Sequence, residues 1–155
     1  MKRFIVLFLM VAMGLQSISN PIDGPFIKTS GIGFRRDPTV SSGGEVGFHR
    51  GVDYAAEEGT PVRACFAGIV IDHWPAPNGY YKGHPIYGGM IRIMDAEGIT
   101  MYAHLSKTII HEGDLVKEGE IIGYVGNTGK STGPHLHLER LVELNFDKYK
   151  TSLYK

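Results

Sequence analysis

Apolar residues along most of this chain come in short runs or alternate with polar residues, and glycines separate the runs. Beyond the first twenty residues, no long window carries the i, i+3, i+4, i+7 spacing of an amphipathic helix. Alternation with a period of two is typical of strands that bury one face of a sheet. The pattern therefore predicts an all-β protein. The predicted strands are residues 62–72, 90–95, 99–104, 121–125 and 135–141.

Turn signals lie between these strands. Residues 96–98, with the sequence Ala-Glu-Gly, predict a hairpin turn. Gly113 and Gly119 stand at two predicted tight corners of the segment 112–120, and residues 127–134 predict a loop just before His135. Most of the 21 glycines are thus expected at turns.

The N-terminus has the pattern of an export signal. Lys2 and Arg3 precede an apolar run over residues 4–15, and Ser17 and Ser19 are placed like the small residues of a cleavage site. The run is shorter than the roughly 20 residues that a membrane-spanning helix needs, and no cysteine follows it as a lipoprotein anchor would require. Residues 1–19 are predicted to be a signal peptide, with an uncleaved anchor or a buried helix as the alternatives. The protein is then exported to the periplasm, the cell envelope or the medium, with no stable membrane anchor.

Composition limits the remaining possibilities. A chain of 155 residues that is 43% hydrophobic suits one domain, predicted over residues 20–155. Sixteen basic and sixteen acidic residues leave no basic excess, which argues against nucleic-acid binding. Cys65 is the only cysteine, so it cannot form an internal disulfide, and its apolar surroundings predict a buried small hydrophobe over a reactive or intermolecular thiol.

The candidate chemistry lies in separated histidines and one aspartate. His135 and His137 are two residues apart in a predicted strand, so both rings leave the same face about 6.6 Å apart. One ring can bind a metal while the other faces the open coordination position. His49 and Asp53 lie four residues apart in one predicted early strand and can share an ion only if the chain bends, which Gly51 permits. Two histidines and one carboxylate leave a fourth position for water, as in catalytic zinc sites.

Longer motifs surround these residues. They are residues 48–56 (FHRGVDYAA), 59–62 (GTPV), 102–105 (YAHL) and 125–139 (VGNTGKSTGPHLHLE). They resemble the signature of the lysostaphin-type (LytM) zinc metallopeptidases almost residue for residue. Residues 30–38 are similar to the opening segment of that family, although Ile32 stands where an aromatic residue is common. The resemblance extends from about residue 27 to residue 139.

The resemblance implies a fold and a set of roles. The fold would consist of mostly antiparallel sheets in a small sandwich-like or barrel-like body, with a groove that carries one zinc ion per chain. His49, Asp53 and His137 would hold the zinc, while His104 and His135 would face the attacking water and the substrate carbonyl. Which of the two acts as base and which stabilises the intermediate stays open. The family cleaves peptide bonds in bacterial cell-wall peptidoglycan, so the expected partner is a peptidoglycan peptide.

The connection over residues 74–89 departs from the family, since it is longer and richer in proline and aromatic residues. Its prolines predict a surface loop. Its aromatic residues either wall the substrate groove or pack the loop onto the body; they are Trp74, Tyr80, Tyr81 and Tyr87. His73, His84 and His111 fall in no ligand motif and are expected to be ordinary polar residues.

Two other functions compete with a secreted zinc endopeptidase. A non-catalytic LytM-like module that binds the wall or activates another hydrolase would typically lack ligands, whereas this chain retains all five candidate site residues. A small carrier or phosphotransfer domain would leave the metal constellation unexplained. The cleaved bond, the oligomeric state and a regulatory partner that controls access are not determined by the sequence.

Overall fold

The computed structural model of the chain describes residues 20–40, 44–77 and 83–142. Within these ranges the regular structure is entirely strand, which confirms the predicted all-β class. No helical segment in the described ranges has the length and hydropathy to cross a bilayer. The predicted signal peptide lies outside the described residues. The strands are β1 (Ile27–Ser30), β2 (Gly33–Arg36), β3 (Val46–His49), β4 (Val52–Ala55), β5 (Pro61–Arg63), β6 (Gly68–Trp74), β7 (Gly89–Met94), β8 (Ile99–Leu105), β9 (Lys107–Thr108), β10 (Leu115–Val116), β11 (Ile121–Tyr124) and β12 (His135–Leu141).

The strands form three antiparallel sheets. The largest sheet has seven strands in the order β1-β4-β12-β8-β7-β6-β10, and a smaller sheet has the order β5-β11-β9. Strands β2 and β3 form a separate hairpin. The main core contains residues of both larger sheets, including Val62, Tyr102, Ile122 and Leu136, all of them fully buried. The protein is therefore a small sandwich, as the resemblance implies.

The prediction of one continuous strand over residues 62–72 is wrong, because two strands, β5 and β6, cover this segment. Strand β5 pairs with β11 in the small sheet, whereas β6 pairs with β7 in the large one. Between them the chain crosses the core through Ala64 and Cys65, which are buried. Two short strands with a buried crossing bury as many side chains as one long strand, so hydrophobicity alone could not separate them.

The predicted turns are confirmed. Asp95 N–H donates to the Gly98 carbonyl at 2.9 Å and closes the hairpin between β7 and β8. Gly113 and Gly119 have φ angles of 93° and 76°, which favour glycine. Residues 127–134 lie in a loop before β12.

Cys65 is buried, as expected, and its backbone is held by a tyrosine. The Cys65 N–H donates to the Tyr102 hydroxyl oxygen at 2.8 Å. Tyr102 has no exposed surface, and burial strongly raises the pKa of its hydroxyl. This hydroxyl is the partner of a buried N–H that water cannot reach.

Replacing Tyr102 by phenylalanine is expected to lower the free energy of unfolding by about 1–3 kcal/mol, because the Cys65 N–H loses its partner. Urea unfolding would measure the change. Tyr124→Phe is the matched control, since the Tyr124 hydroxyl makes no hydrogen bond among the described residues and its loss should cost little. Equal stability losses in the two variants would contradict the role of the hydroxyl.

Candidate metal centre

The candidate residues of β12 share one face of the large sheet. His135, His137 and Glu139 alternate with Leu136 and Leu138, and Leu136 lies in the main core. The face that carries the two histidines is therefore the face turned away from that core. Pairing of β12 with β4 places His137 directly beside Asp53. This cross-strand pair forms the base of the site.

His49 and Asp53 belong to two strands rather than to one early strand, which corrects the sequence-based expectation. His49 ends β3 of the hairpin, and Asp53 lies in β4 of the large sheet. The bend falls at Gly51, as expected, but glycine is needed there for a different reason. A Cβ on Gly51 would lie 2.5 Å from the Leu138 carbonyl oxygen and 2.7 Å from the His137 ring. The bend thus lets the backbone pass close against the proposed ligand.

Three ligand atoms converge at this point. His49 Nε2 lies 3.1 Å from Asp53 Oδ1 and 3.0 Å from His137 Nδ1, and the latter two atoms are 2.9 Å apart. All three side chains are buried. Atoms at these separations can all reach one point at the 2.0–2.1 Å that is typical of zinc ligands. Within the described residues this is the one group of three or more such side chains that could hold a metal ion.

The protonation of the three groups fits a cation. The Gly31 carbonyl oxygen lies 2.7 Å from His49 Nδ1, so that nitrogen carries the proton and Nε2 presents a lone pair. Glu139 Oε2 lies 3.6 Å from His137 Nε2 and favours the proton on that nitrogen, which leaves Nδ1 with its lone pair. Three electron pairs then face one another in a buried space. A single proton removes the repulsion between one pair of these atoms, whereas a metal ion bound to all three removes the repulsion in every pair.

Arg35 forms an ion pair with Asp53. Its guanidinium donates to Asp53 Oδ2 at 3.0 Å, which leaves Oδ1 for the cluster. Burial by itself would raise the pKa of Asp53, but a hydrogen bond from His137, when the single proton of the cluster lies on its Nδ1, and the charges of the nearby histidines lower it to about 2. The carboxylate is therefore ionised at neutral pH, as a metal ligand must be.

His104 reaches the site through an irregularity in β8. Tyr102 pairs with Ile91 and Leu105 pairs with Gly89, so β8 has one residue more than β7 between these pairs. His104 has a φ angle of 63°, rare for a residue other than glycine. In a regular strand the side chains of Ala103 and His104 would point to opposite faces. The bulge instead turns the His104 ring toward His137, with 5.9 Å between ring centroids.

His104 and His135 face each other beside the cluster. Their ring centroids are 4.6 Å apart, and His135 Nε2 lies 3.8 Å from Asp53 Oδ1. His104 Nδ1 donates to the Thr128 carbonyl at 2.8 Å, and His135 Nδ1 donates to the Gly133 carbonyl at 2.8 Å. Both rings thus turn Nε2 toward the groove. Burial and the neighbouring His135 lower the pKa of His104 to about 4, so His104 is neutral at pH 7.

The cluster lies at the floor of an open groove. One lobe of about 510 Å³ extends along the β2–β3 hairpin, and a second of about 290 Å³ extends along residues 130–135. His104 and His137 border both lobes. The cluster can therefore be reached from both lobes.

Comparison with known proteins agrees with this arrangement. The family described as peptidase family M23 matches residues 47–147, more than half of the chain. The chain belongs to peptidase family M23. The matched region holds all five site residues predicted from the sequence.

Curated and solved M23 relatives are similar to this chain over most of its length. It is 43% identical over 113 residues to DD-carboxypeptidase/endopeptidase Mpg of Neisseria meningitidis, and the match covers 72% of this chain and 23% of Mpg. A zinc-containing peptidase from Vibrio cholerae superposes with a TM-score of 0.63 and 36% identity, covering 79% of this chain and 35% of that one. The catalytic domain of lysostaphin from Staphylococcus simulans superposes with a TM-score of 0.60 and 33% identity, covering 79% and 85%. The chain thus spans about a quarter of Mpg, but most of the isolated lysostaphin domain.

The sequence analysis missed two residues of this M23 site. Arg35 lies in the segment that resembles the family's opening, but no role was assigned to it. Glu139 ends the last motif and is 4% exposed on the groove face. A period-two reading of β12 carries Glu139 onto the same face as both histidines, and this signal could have identified it.

The connection between β6 and β7 forms part of the groove. Tyr87 lines it, and its ring centroid lies 6.0 Å from that of His137. Trp74 instead contacts His84 edge-on at 5.1 Å. Tyr87 therefore walls the groove, whereas Trp74 packs against the connection. Tyr80 and Tyr81 lie outside the described residues.

The three remaining histidines are not part of the cluster. His84 Nδ1 accepts hydrogen bonds from the N–H groups of Ile86 and Tyr87, so it organises the connection from a half-buried position. His73 bonds to the Thr108 hydroxyl at 2.7 Å, and His111 is exposed.

Proposed function

We propose that this chain is a zinc-dependent endopeptidase that cleaves peptide bonds in bacterial cell-wall peptidoglycan after export from the cytoplasm. His49, Asp53 and His137 are the proposed ligands of one zinc ion, and His104 and His135 are the proposed catalytic histidines. The observation that carries the proposal is the buried convergence of His49 Nε2, Asp53 Oδ1 and His137 Nδ1 within 3.1 Å of one another.

Zinc at this position would supply a Lewis acid for the scissile carbonyl and for the attacking water. The chain itself supplies the proton transfers. His104 and His135 both keep Nδ1–H on a backbone carbonyl, so each Nε2 is available to the groove. A neutral imidazole there can accept the proton of the water and return it to the leaving amine. Once protonated, it can donate a hydrogen bond to the oxyanion that develops in the transition state.

The substrate assignment rests on relatives. Mpg is named a DD-carboxypeptidase/endopeptidase, and another relative, ShyC of Vibrio cholerae, is named a peptidoglycan DD-endopeptidase. The similar lysostaphin domain is named an antimicrobial peptidase, which supports a peptide substrate. Export would bring the enzyme to this substrate, and the apolar run over residues 4–15 supports it.

Purified residues 20–155 should contain about one zinc ion per chain and should clear a peptidoglycan suspension. Metal analysis and labelling of new amino termini measure the two properties. A chelator should abolish both, and added zinc should restore them. Zinc-loaded protein that releases no amino termini from walls of several chemotypes would overturn the endopeptidase and favour a hydrolase-activating module.

Glu139 is proposed to hold His137 in the ligating tautomer. Its Oε2 and the Nε2 of His137 are buried atoms without a hydrogen-bond partner among the described residues, and they face each other at 3.6 Å. A small rotation of either side chain would complete a hydrogen bond. Carboxylates that accept from the second nitrogen of a ligating histidine orient the ring and raise its basicity.

Replacing Glu139 by alanine is therefore expected to weaken zinc affinity about 10- to 100-fold, as measured by competition with a chromogenic chelator. Glu139→Gln keeps an acceptor oxygen and should recover most of the affinity. Glu97→Ala, on the exposed turn between β7 and β8, should leave zinc binding unchanged. If Glu139→Ala binds zinc as tightly as the parent chain, Glu139 has no part in orienting His137.

A further inference from the structure

Strand β3 has an unpaired edge. The β2–β3 hairpin forms a sheet of two strands, so β3 is paired on one side only among the described residues. Val46 and Phe48 are exposed by 61% and 53%. Edge strands present a row of unused N–H and C=O groups that can bind another extended chain.

The hydrogen-bond register shows which groups of β3 point outward. Asp37 N–H donates to the Glu45 carbonyl at 3.3 Å, so residues 37 and 45 are a hydrogen-bonded pair. In an antiparallel ladder such pairs alternate with pairs that do not bond to each other. Arg35 with Gly47 is then a bonded pair, and the flanking pairs, which contain Val46 and Phe48, are not. Val46 and Phe48 consequently direct their N–H and C=O groups away from β2.

The outward edge belongs to the groove. Residues 45–50 line the larger lobe without interruption, although successive side chains of a strand point to opposite faces. Arg35 and residues 37–39 line the same lobe from the other strand of the hairpin. The uninterrupted run over residues 45–50 indicates that the backbone of β3 also borders the groove. Strand β3 ends at His49, so its edge leads directly to the candidate metal centre. Ile86 and Tyr87 line the same lobe from the β6–β7 connection.

We propose that the outer edge of β3 is the substrate-binding edge, on which an extended wall peptide adds as a third strand of the hairpin and hydrogen-bonds to the backbone of Val46 and Phe48. The inference rests on the proposed peptidase function and specifies how its substrate is held. The peptide continues past His49, which brings a backbone carbonyl to the cluster.

This mode of binding defines the chemistry of the ligand. Main-chain hydrogen bonds supply affinity that does not depend on side chains. The ligand must have unsubstituted amides at alternate residues, because only these face the edge. Glycine-rich bridges and stem peptides with D-residues both meet this requirement, whereas a peptide with N-methylated amides at those positions does not.

Amide hydrogen exchange tests the edge directly. The probes are pentaglycine and a D-alanyl cross-linked stem peptide, added to zinc-loaded His104→Ala chain so that they are not consumed. The Val46 and Phe48 amides should exchange at least about fivefold more slowly with a bound probe. The Gly47 amide, already bonded to Arg35, should be protected in both states. A bound probe that leaves Val46 and Phe48 unprotected would overturn the proposal.

Kinetics with Val46→Pro give a second test. Proline removes the outward N–H and is tolerated at the solvent side of an edge strand. We expect KM to rise about three- to tenfold, the usual effect of one lost hydrogen bond, with kcat and zinc content little changed. Val46→Ala also loses the valine side chain but keeps the N–H, so its KM should lie clearly below that of Val46→Pro. Equal KM values for Val46→Pro and Val46→Ala would contradict the proposal.

The two proposals fail separately. If the parent chain hydrolyses no wall peptide while a probe still protects Val46 and Phe48, the endopeptidase proposal is wrong and the edge proposal stands. If the parent chain hydrolyses wall peptides and a bound probe does not protect these amides, the endopeptidase proposal stands and the edge proposal is wrong.

Discussion

Replacing Asp53 by alanine is expected to remove zinc from the protein and to lower peptide hydrolysis at least about a thousandfold. Asp53 Oδ1 is the one anionic atom among the three proposed ligand atoms. The carboxylate pairs with Arg35 through Oδ2, and the neighbouring histidines lower its pKa to about 2. Two neutral imidazoles alone would bind zinc weakly. Loss of the Lewis acid removes several kcal/mol of transition-state stabilisation.

Zinc content after dialysis and the rate of release of amino termini measure the two effects. Asp72→Ala is the matched control, because Asp72 is also a strand aspartate paired with an arginine, in this case Arg92 on the neighbouring strand. It should keep zinc and activity. Retention of stoichiometric zinc by Asp53→Ala would remove Asp53 from the ligand set.

The second large effect is expected at His104. Replacing it by asparagine or alanine should leave zinc bound but lower kcat by about 10²- to 10⁴-fold, the usual contribution of a positioned acid or base. The ring lies beside the cluster, and its Nδ1 is already committed to the Thr128 carbonyl. Its Nε2 is therefore available for proton transfer without a role in holding the metal.

Asparagine is the better substitution, because it tolerates the positive φ of residue 104 more readily than alanine does. The measurements are zinc content and single-turnover rates, with thermal unfolding as a check on the fold. His111→Ala changes an exposed histidine outside the groove and should be neutral. Zinc loss from His104→Asn equal to that from Asp53→Ala would make His104 a ligand and undo the division of roles.

Alternation in the sequence correctly predicts the direction of side chains in β12. His135 and His137 fall on one face in any strand, and their placement beside one cluster follows from a period of two. The same rule fails for His104. In a regular β8 its side chain would point to the core with that of Tyr102, and the extra residue that reverses its direction leaves no periodic signal.

The sequence pattern also did not predict which strands pair with each other. The bend between His49 and Asp53 was predicted at Gly51, yet the pattern did not place these residues in two different sheets. For the same reason residues 62–72 were predicted as one strand. Both cases depend on which distant segment supplies the hydrogen bonds, and a run of apolar residues is compatible with either partner.

The sequence by itself determined the all-β class and the turns and predicted five site residues, because these depend on local periodicity, on glycine and on motifs that resemble a known family. The tertiary structure decided that three of the five converge within 3.1 Å, that Arg35 contacts Asp53, and that β3 presents an open edge to the groove. These features join residues up to 88 positions apart in the chain. Their geometry is set by the pairing and register of whole strands, which no local stretch of sequence specifies.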